Sequence, residues 1–164
     1  MDKFGVGLGS KFILPTDNSG TRLVDATFSS TAVLATWFQT AFIVDNLVES
    51  AASRGFLREF ILGTKFTAEN ILSVYLDPHL VPNLPSDQST FGWEAGIEFQ
   101  FFSEAFLRFG SFKNATVPYQ AQRGDGFAFG LGWVGPRLTL DYAFSRVVSP
   151  LSSMSHNFGF NLYF

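Results

Sequence analysis

The 164-residue sequence has no cysteine, no long apolar run and no cluster of basic residues. The lack of cysteine suits an oxidising or cell-surface compartment, where a free thiol would be a liability. No apolar run approaches the ~18 residues of a transmembrane helix, so a bilayer-spanning form would have to use strands. Because the net charge is −3 and the eleven lysines and arginines are scattered, we expect no nucleic-acid partner.

Histidine is also scarce, which limits the catalytic options. The sequence has only His79 and His156. His79 follows Asp77 and Pro78 near a predicted strand end, where we expect a hydrogen-bonded surface histidine rather than a general base. No Gly-x-Ser-x-Gly element occurs. We therefore predict a protein that is not an enzyme and has no cofactor or metal site, with a lipid-modifying enzyme or protease of the outer membrane as the alternative.

Aromatic residues and glycine, by contrast, are abundant. The chain contains 21 Phe, 3 Trp, 4 Tyr and 15 Gly. Aromatic side chains favour strands, whereas glycine weakens a strand interior unless close approach or curvature requires it. The combination is typical of a β-barrel, and we predict one domain over residues 1–164.

Alternation of large apolar residues with small or polar ones predicts where the strands lie. It runs from Met154 to Phe164 and recurs at 4–14, 91–101 and 127–145. A period of two places successive side chains on opposite faces of a strand. Each strand would therefore have one apolar, aromatic face and one face of glycine, amide and charged side chains.

Strands and connections read in order give a count of about ten, within a range of 8–10. Predicted tight turns at 29–31, 68–70, 103–104 and 135–136 alternate with longer connections at 15–20, 46–55, 80–89, 115–125 and 149–153. This alternation is typical of an antiparallel up-and-down transmembrane β-barrel. The predicted strands are 3–14, 21–29, 32–45, 56–67, 71–79, 90–102, 105–114, 126–134, 137–148 and 154–164.

Residues 32–53 also allow a helical interpretation. Val33, Trp37, Ala41, Val44 and Val48 recur at helical spacing. The β-branched and aromatic run 42–44 favours a strand for the first half, with a short helix near 45–53 inside a connection. If the whole segment were helical, the strand count would fall to nine.

Several charged residues lie on the same face of their strands as the glycines, so they would meet inside a barrel. Because buried charges must pair or stay hydrated, we predict an interior network that fills a narrow barrel, with a selective pore or ligand cavity as the alternative. The predicted network comprises Glu59, Lys65, Glu94, Glu98, Arg108 and Asp141.

The end of the sequence resembles a known signal. The stretch 155–164, SHNFGFNLYF, is similar to the C-terminal β-signal of bacterial outer-membrane proteins, in which a terminal aromatic follows alternating apolar residues. The stretches GFAFGLGW at 126–133 and LTLDYAF at 138–144 resemble the last hairpin of FadL-like and PorV-like barrels. The resemblance implies an outer-membrane location and a barrel architecture. The signal residues would be Phe158, Phe160, Leu162, Tyr163 and Phe164.

Three functional hypotheses follow. The first is an integral outer-membrane barrel with a structural, anchoring or partner-binding role, as a subunit of a larger envelope complex. Its partners would be the lipid bilayer, the outer-membrane assembly machinery and other envelope proteins, bound through connections 80–89 and 115–125. The alternatives are a passive channel or FadL-like carrier of small or hydrophobic solutes, and a soluble lipocalin-like ligand binder. Since no signal peptide opens the sequence, we expect a mature or incomplete form.

Overall fold

A computed structural model describes residues 3–13, 23–49, 57–86, 88–102, 104–117 and 123–163. The described residues form strands and connections and contain no helix. The ten strands are β1 (Lys3–Ile13), β2 (Leu23–Ala35), β3 (Phe38–Asp45), β4 (Glu59–Ala68), β5 (Leu72–Leu80), β6 (Phe91–Phe101), β7 (Ala105–Thr116), β8 (Arg123–Val134), β9 (Leu138–Ser149) and β10 (Ser153–Leu162).

The strands form one antiparallel sheet in which spatial order follows sequence order from β1 to β10. One end of the sheet therefore carries the turns after β2, β4, β6 and β8, and the opposite end carries the remaining connections. We call the first the short-turn end and the second the long-connection end. The short turns span 36–37, 69–71, 102–104 and 135–137, and the opposite connections span 14–22, 46–58, 81–90, 117–122 and 150–152.

The pairing register gives the sheet one apolar and one polar face. On the apolar face Phe109 lies opposite Ile97 on one side and Phe129 on the other. On the polar face Glu98 lies opposite Arg108, which in turn lies opposite Gly130. Because directly opposed residues point to the same face, each alternating strand extends both surfaces across the sheet.

The polar face is the concave one. Glu59 begins β4 and Arg123 begins β8, four strands away in the sheet order. In a flat sheet with strands about 4.8 Å apart, the two backbones would be separated by about 19 Å, beyond the combined reach of both side chains. Arg123 Nη2 nevertheless lies 3.8 Å from Glu59 Oε1. The sheet is therefore curled around its polar side chains.

The curled sheet has two free edges. β1 pairs with β2 and β10 pairs with β9, and no pairing joins β1 to β10. Side chains on these edge strands are accordingly more exposed than those in the middle of the sheet, reaching 82% for Phe158. The all-β antiparallel fold and its ten strands are as predicted, whereas closure into a barrel is absent from this sheet. Among the described residues, no helix is long and apolar enough to cross a membrane.

The turn predicted at 29–31 was wrong. The small polar residues Ser29, Ser30 and Thr31 lie within β2, where Ser29 and Thr31 stand opposite Gly7 and Gly5 of β1. The chain instead turns at 36–37. Serine and threonine suggested a turn, but Ser29 and Thr31 fit as small residues on the polar face, next to the glycines of the neighbouring strand.

The helical interpretation of 32–53 was also wrong for its described part, because β2 and β3 occupy 32–45 and the described residues that follow, 46–49, are not helical. Pairing with β1 and β4 on either side outweighs the helical spacing of the apolar residues. The rest of the helix predicted near 45–53, residues 50–53, lies outside the described residues. Two connections are also shorter than predicted, since β8 begins at Arg123 and only 150–152 separate β9 from β10.

Candidate functional site: the polar interior

The most buried polar contacts of the interior centre on Glu59 at the long-connection end. His79 Nδ1 of β5 lies 2.9 Å from Glu59 Oε1, and the Thr116 hydroxyl of β7 donates to Glu59 Oε2 at 3.3 Å. Arg123 of β8 adds an ion pair to the same carboxylate. Glu59 and His79 are 7% and 5% exposed. We call these four residues the Glu59 strut, because they connect β4 and β5 to β7 and β8 across the concave side.

A second polar cluster lies at the same end, on the β1–β3 side. Lys11 forms an ion pair with Asp45, which also accepts a hydrogen bond from the Thr27 hydroxyl. Lys11 Nζ also donates to Asn46 Oδ1 at 3.3 Å. Because Asp45 and Glu59 are direct cross-strand neighbours, this cluster continues into the Glu59 strut. We call the two together the polar belt.

Small apolar side chains are buried near the belt. At the ends of β5, β7 and β9 and just beyond them, Val81, Ala115, Val117 and Val147 are each at most 5% exposed. A Cβ added to Gly92 would stand 2.2 Å from the Asn114 carbonyl oxygen, so no larger residue fits there without movement. The interior is therefore closely packed at the long-connection end.

The interior ion pairs at the short-turn end are more open. Arg108 Nε of β7 donates to Glu98 Oε2 at 2.6 Å, and Arg108 Nη1 lies 3.4 Å from Asp141 Oδ1 of β9. The Tyr75 hydroxyl is 3.5 Å from Glu98 Oε1. The Arg108 side chain is 48% exposed, so solvent screens these ion pairs.

A cavity of about 380 Å³ lies along β2–β5, and Tyr75, whose hydroxyl approaches Glu98, is part of its wall. Its wall includes Lys65, Tyr75 and Asp77, and the small residues Ala41 and Gly63 give it depth. The Lys65 ammonium stands 5.2 Å from the centre of the Tyr75 ring, a cation–π distance. The interior is thus open here, whereas packed side chains fill it at the long-connection end.

The predicted network residues all lie on the polar face but do not form one cluster. The structure brings Glu98, Arg108 and Asp141 together and sets Lys65 against Tyr75 instead. Glu59 lies in the strut, and Glu94 Oε1 is 3.9 Å from His79 Nε2.

Sequence reasoning missed the other members of the belt. His79 is buried rather than on the surface as predicted, and its close contact is with Glu59, whereas Asp77 accepts the Thr64 N–H. His79 alternates with Tyr75 and Asp77 along β5, so the period of two could have predicted that its side chain faces the interior. Arg123 was assigned to a connection, which hid its position at the start of β8.

The predicted assembly-signal residues lie on β10 or just after it. Phe158, Phe160 and Leu162 are exposed on the apolar face, and Tyr163 follows the strand, also exposed. Phe164 lies outside the described residues. On the same apolar face, the ring of His156 stacks near Tyr142, whose hydroxyl is 3.0 Å from His156 Nδ1.

Among the described residues, no group of histidine and carboxylate side chains is arranged to hold a metal ion. Comparison with known proteins gives no match to a protein-family model, a curated protein or a solved structure.

Proposed function

We propose that this chain is an integral bacterial outer-membrane β-barrel protein with a structural role, anchoring or binding other envelope proteins as a subunit of a larger complex. One observation carries the proposal: polarity is inverted relative to a water-soluble protein. Asp25, Glu59 and His79 are buried, whereas large apolar side chains cover the convex face. Soluble monomers rarely expose contiguous apolar surface on this scale, and lipid is the solvent that suits it.

The dimensions of the sheet support the same proposal. Its strands are 8–13 residues long, and a tilted transmembrane strand needs about 9–11. Aromatic residues are found near both rims of the apolar face, with Trp37 and Trp133 at the short-turn end and Trp93 toward the other. Aromatic side chains favour the membrane–water interface, where their rings lie at headgroup level.

Closure of the barrel by pairing of β1 with β10 belongs to the proposal. The two edges run antiparallel, and on both of them the even-numbered residues form the apolar face. β10 carries no Lys, Arg, Asp or Glu and no proline, the usual protections of a free edge. The tight curvature shown by the Glu59–Arg123 contact favours closure by this chain over a wider barrel shared with another.

The decisive experiment is refolding into detergent micelles and lipid vesicles, followed by gel electrophoresis with and without heating. We expect vesicle-bound protein whose unheated form migrates differently. Protein that stays soluble without detergent and migrates identically in both forms would contradict the proposal and favour the lipocalin-like alternative.

Engineered cysteines test closure, because the chain has none of its own. Cysteine pairs that combine Gly5, Gly7 or Gly9 with Asn157, Gly159 or Asn161 share the polar face, and one register of them should cross-link after refolding. The control pairs Val6 with Gly159, which lie on opposite faces and should not cross-link in any register. Cross-links only between separate chains would instead indicate a barrel completed by a second copy.

The cavity beside Lys65 and Tyr75 favours a second candidate, a passive channel or carrier of small solutes. That function requires a continuous path along the whole interior. Whether side chains block the interior at the long-connection end therefore decides between the two candidate functions.

A further inference from the structure

We propose that the polar belt seals the long-connection end of the interior, so that the interior is a blind pocket open only at the short-turn end. The inference rests on the proposed function, since a seal has meaning only if the sheet closes around it. It concerns a different property, the path through the barrel.

The Glu59 strut supplies one half of the seal. A single carboxylate contacts side chains from three other strands, His79 of β5, Thr116 of β7 and Arg123 of β8. The Arg123 side chain is 11% exposed, and its Nε donates to the Asn114 carbonyl at 2.7 Å. The strut therefore crosses the concave side at a level that solvent barely reaches.

The Lys11–Asp45 cluster supplies the other half. It belongs to β1–β3, which the strut does not span, and Asp45 lies directly opposite Glu59. Asp25, fully buried at the same end, accepts the backbone N–H groups of Ala26 and Val48. The belt therefore has members on every strand from β1 to β8 except β6, where Gly92 leaves room for the Arg123 side chain.

The chemistry of the belt suits a seal that can open, rather than a permanent core. It is held by ion pairs and hydrogen bonds to carboxylates, and within the described part of the chain His79 Nε2, Arg123 Nη1 and Arg123 Nη2 are buried without a hydrogen-bond partner. Buried charges that are only partly satisfied offset much of the stability gained from their pairing. Loss of one charge should therefore separate the residues of the strut, whereas a single substitution in an apolar plug would loosen its packing only slightly.

Ion permeability of lipid vesicles containing the refolded full chain tests the seal. We expect a low permeability for the unaltered protein and a severalfold rise for Glu59→Gln, which leaves Arg123 without its counter-charge. The charge-swapped double variant, Glu59→Arg with Arg123→Glu, should restore low permeability. The matched control is Arg108→Gln, which breaks an interior ion pair at the open end and should leave permeability unchanged.

Heat modifiability and flotation with the vesicles are measured on every variant, so that only folded, inserted protein is compared. The inference is overturned if the unaltered protein conducts as well as Glu59→Gln, if folded Glu59→Gln stays closed, or if Arg108→Gln opens the interior equally. Failure of the unaltered protein to float with vesicles would instead contradict the proposed function.

Discussion

The two ends of the interior are built from the same alternating strands but contain different side chains. At the long-connection end, Glu59 and His79 are buried in contact and valines fill the remaining space. At the short-turn end, Arg108 pairs with two carboxylates while half exposed, and a cavity lies alongside. Alternation therefore determines which residues face inward, and the size and charge of those residues determine whether an end is filled.

The comparison is tested most strongly by removing one carboxylate from each end. Glu59→Ala leaves Arg123 buried without its counter-charge and His79 without its carboxylate partner, and it should cost about 3–5 kcal/mol of unfolding free energy. Glu98→Ala breaks an ion pair with the half-exposed Arg108 and should cost at most about 1 kcal/mol. Urea unfolding in vesicles measures both, and equal losses would show that the two ends do not differ in packing.

The comparison depends on which side chains point toward lipid and which point toward the interior. Substitutions at two adjacent residues of β8 test this assignment. Phe129→Lys places a charge on the apolar face in the middle of its strand and should cost about 2–4 kcal/mol if that face contacts lipid. Gly130→Ala points inward, where the added methyl would meet ordinary contacts of 3.4 and 3.5 Å, and should be mild. Comparable insertion yields for both variants would contradict the facing.

Two glycines of β6 compare the packed end with the middle of the same strand. The added methyl of Gly92→Ala would stand 2.2 Å from the Asn114 carbonyl oxygen, and that of Gly96→Ala 3.4 Å from the Phe109 carbonyl oxygen. Overpacking should cost Gly92→Ala about 1–3 kcal/mol, with Gly96→Ala nearly neutral. The fraction of each variant that resists unfolding on unheated gels ranks them, and the reverse order would refute close packing at Gly92.

The smallest effect is expected outside the strands, where Glu49 joins two long connections. Its Oε1 accepts the Arg58 N–H at 2.9 Å and the Asn83 amide at 2.7 Å. The hydrogen bond from the Arg58 backbone, followed by that from Asn83, lowers the pKa of Glu49. The link is thus complete above the unfolded-state pKa of glutamate and is lost as the pH falls through the lowered value.

Limited proteolysis of vesicle-bound protein measures this link. Glu49→Gln should speed cleavage in the connections at neutral pH, and the difference from the unaltered protein should vanish in acid. Glu69→Gln, in a short turn, is the control and should change nothing. A difference that persists unchanged in acid would exclude ionisation of Glu49 as the cause.

Alternation alone predicted most of the fold, because each strand reveals its own period. The strand predicted at 105–114 is observed as Ala105–Thr116, and that at 71–79 as Leu72–Leu80. The turn after β2 was misplaced because serine and threonine fit both a turn and a small-residue strand face. The site was harder to predict, since the Glu59–Arg123 contact depends on the curvature of the whole sheet, which no local pattern encodes.

The sequential strand order has a consequence for how the protein folds. Each ladder in the sheet joins neighbours in sequence, so every pairing from β1 to β10 can form as a local hairpin with little loop entropy to overcome. Pairing of β1 with β10 would join the two most distant strands and should form last. Until it does, two unpaired strand edges stay open to other chains, and dilution during refolding should raise the yield.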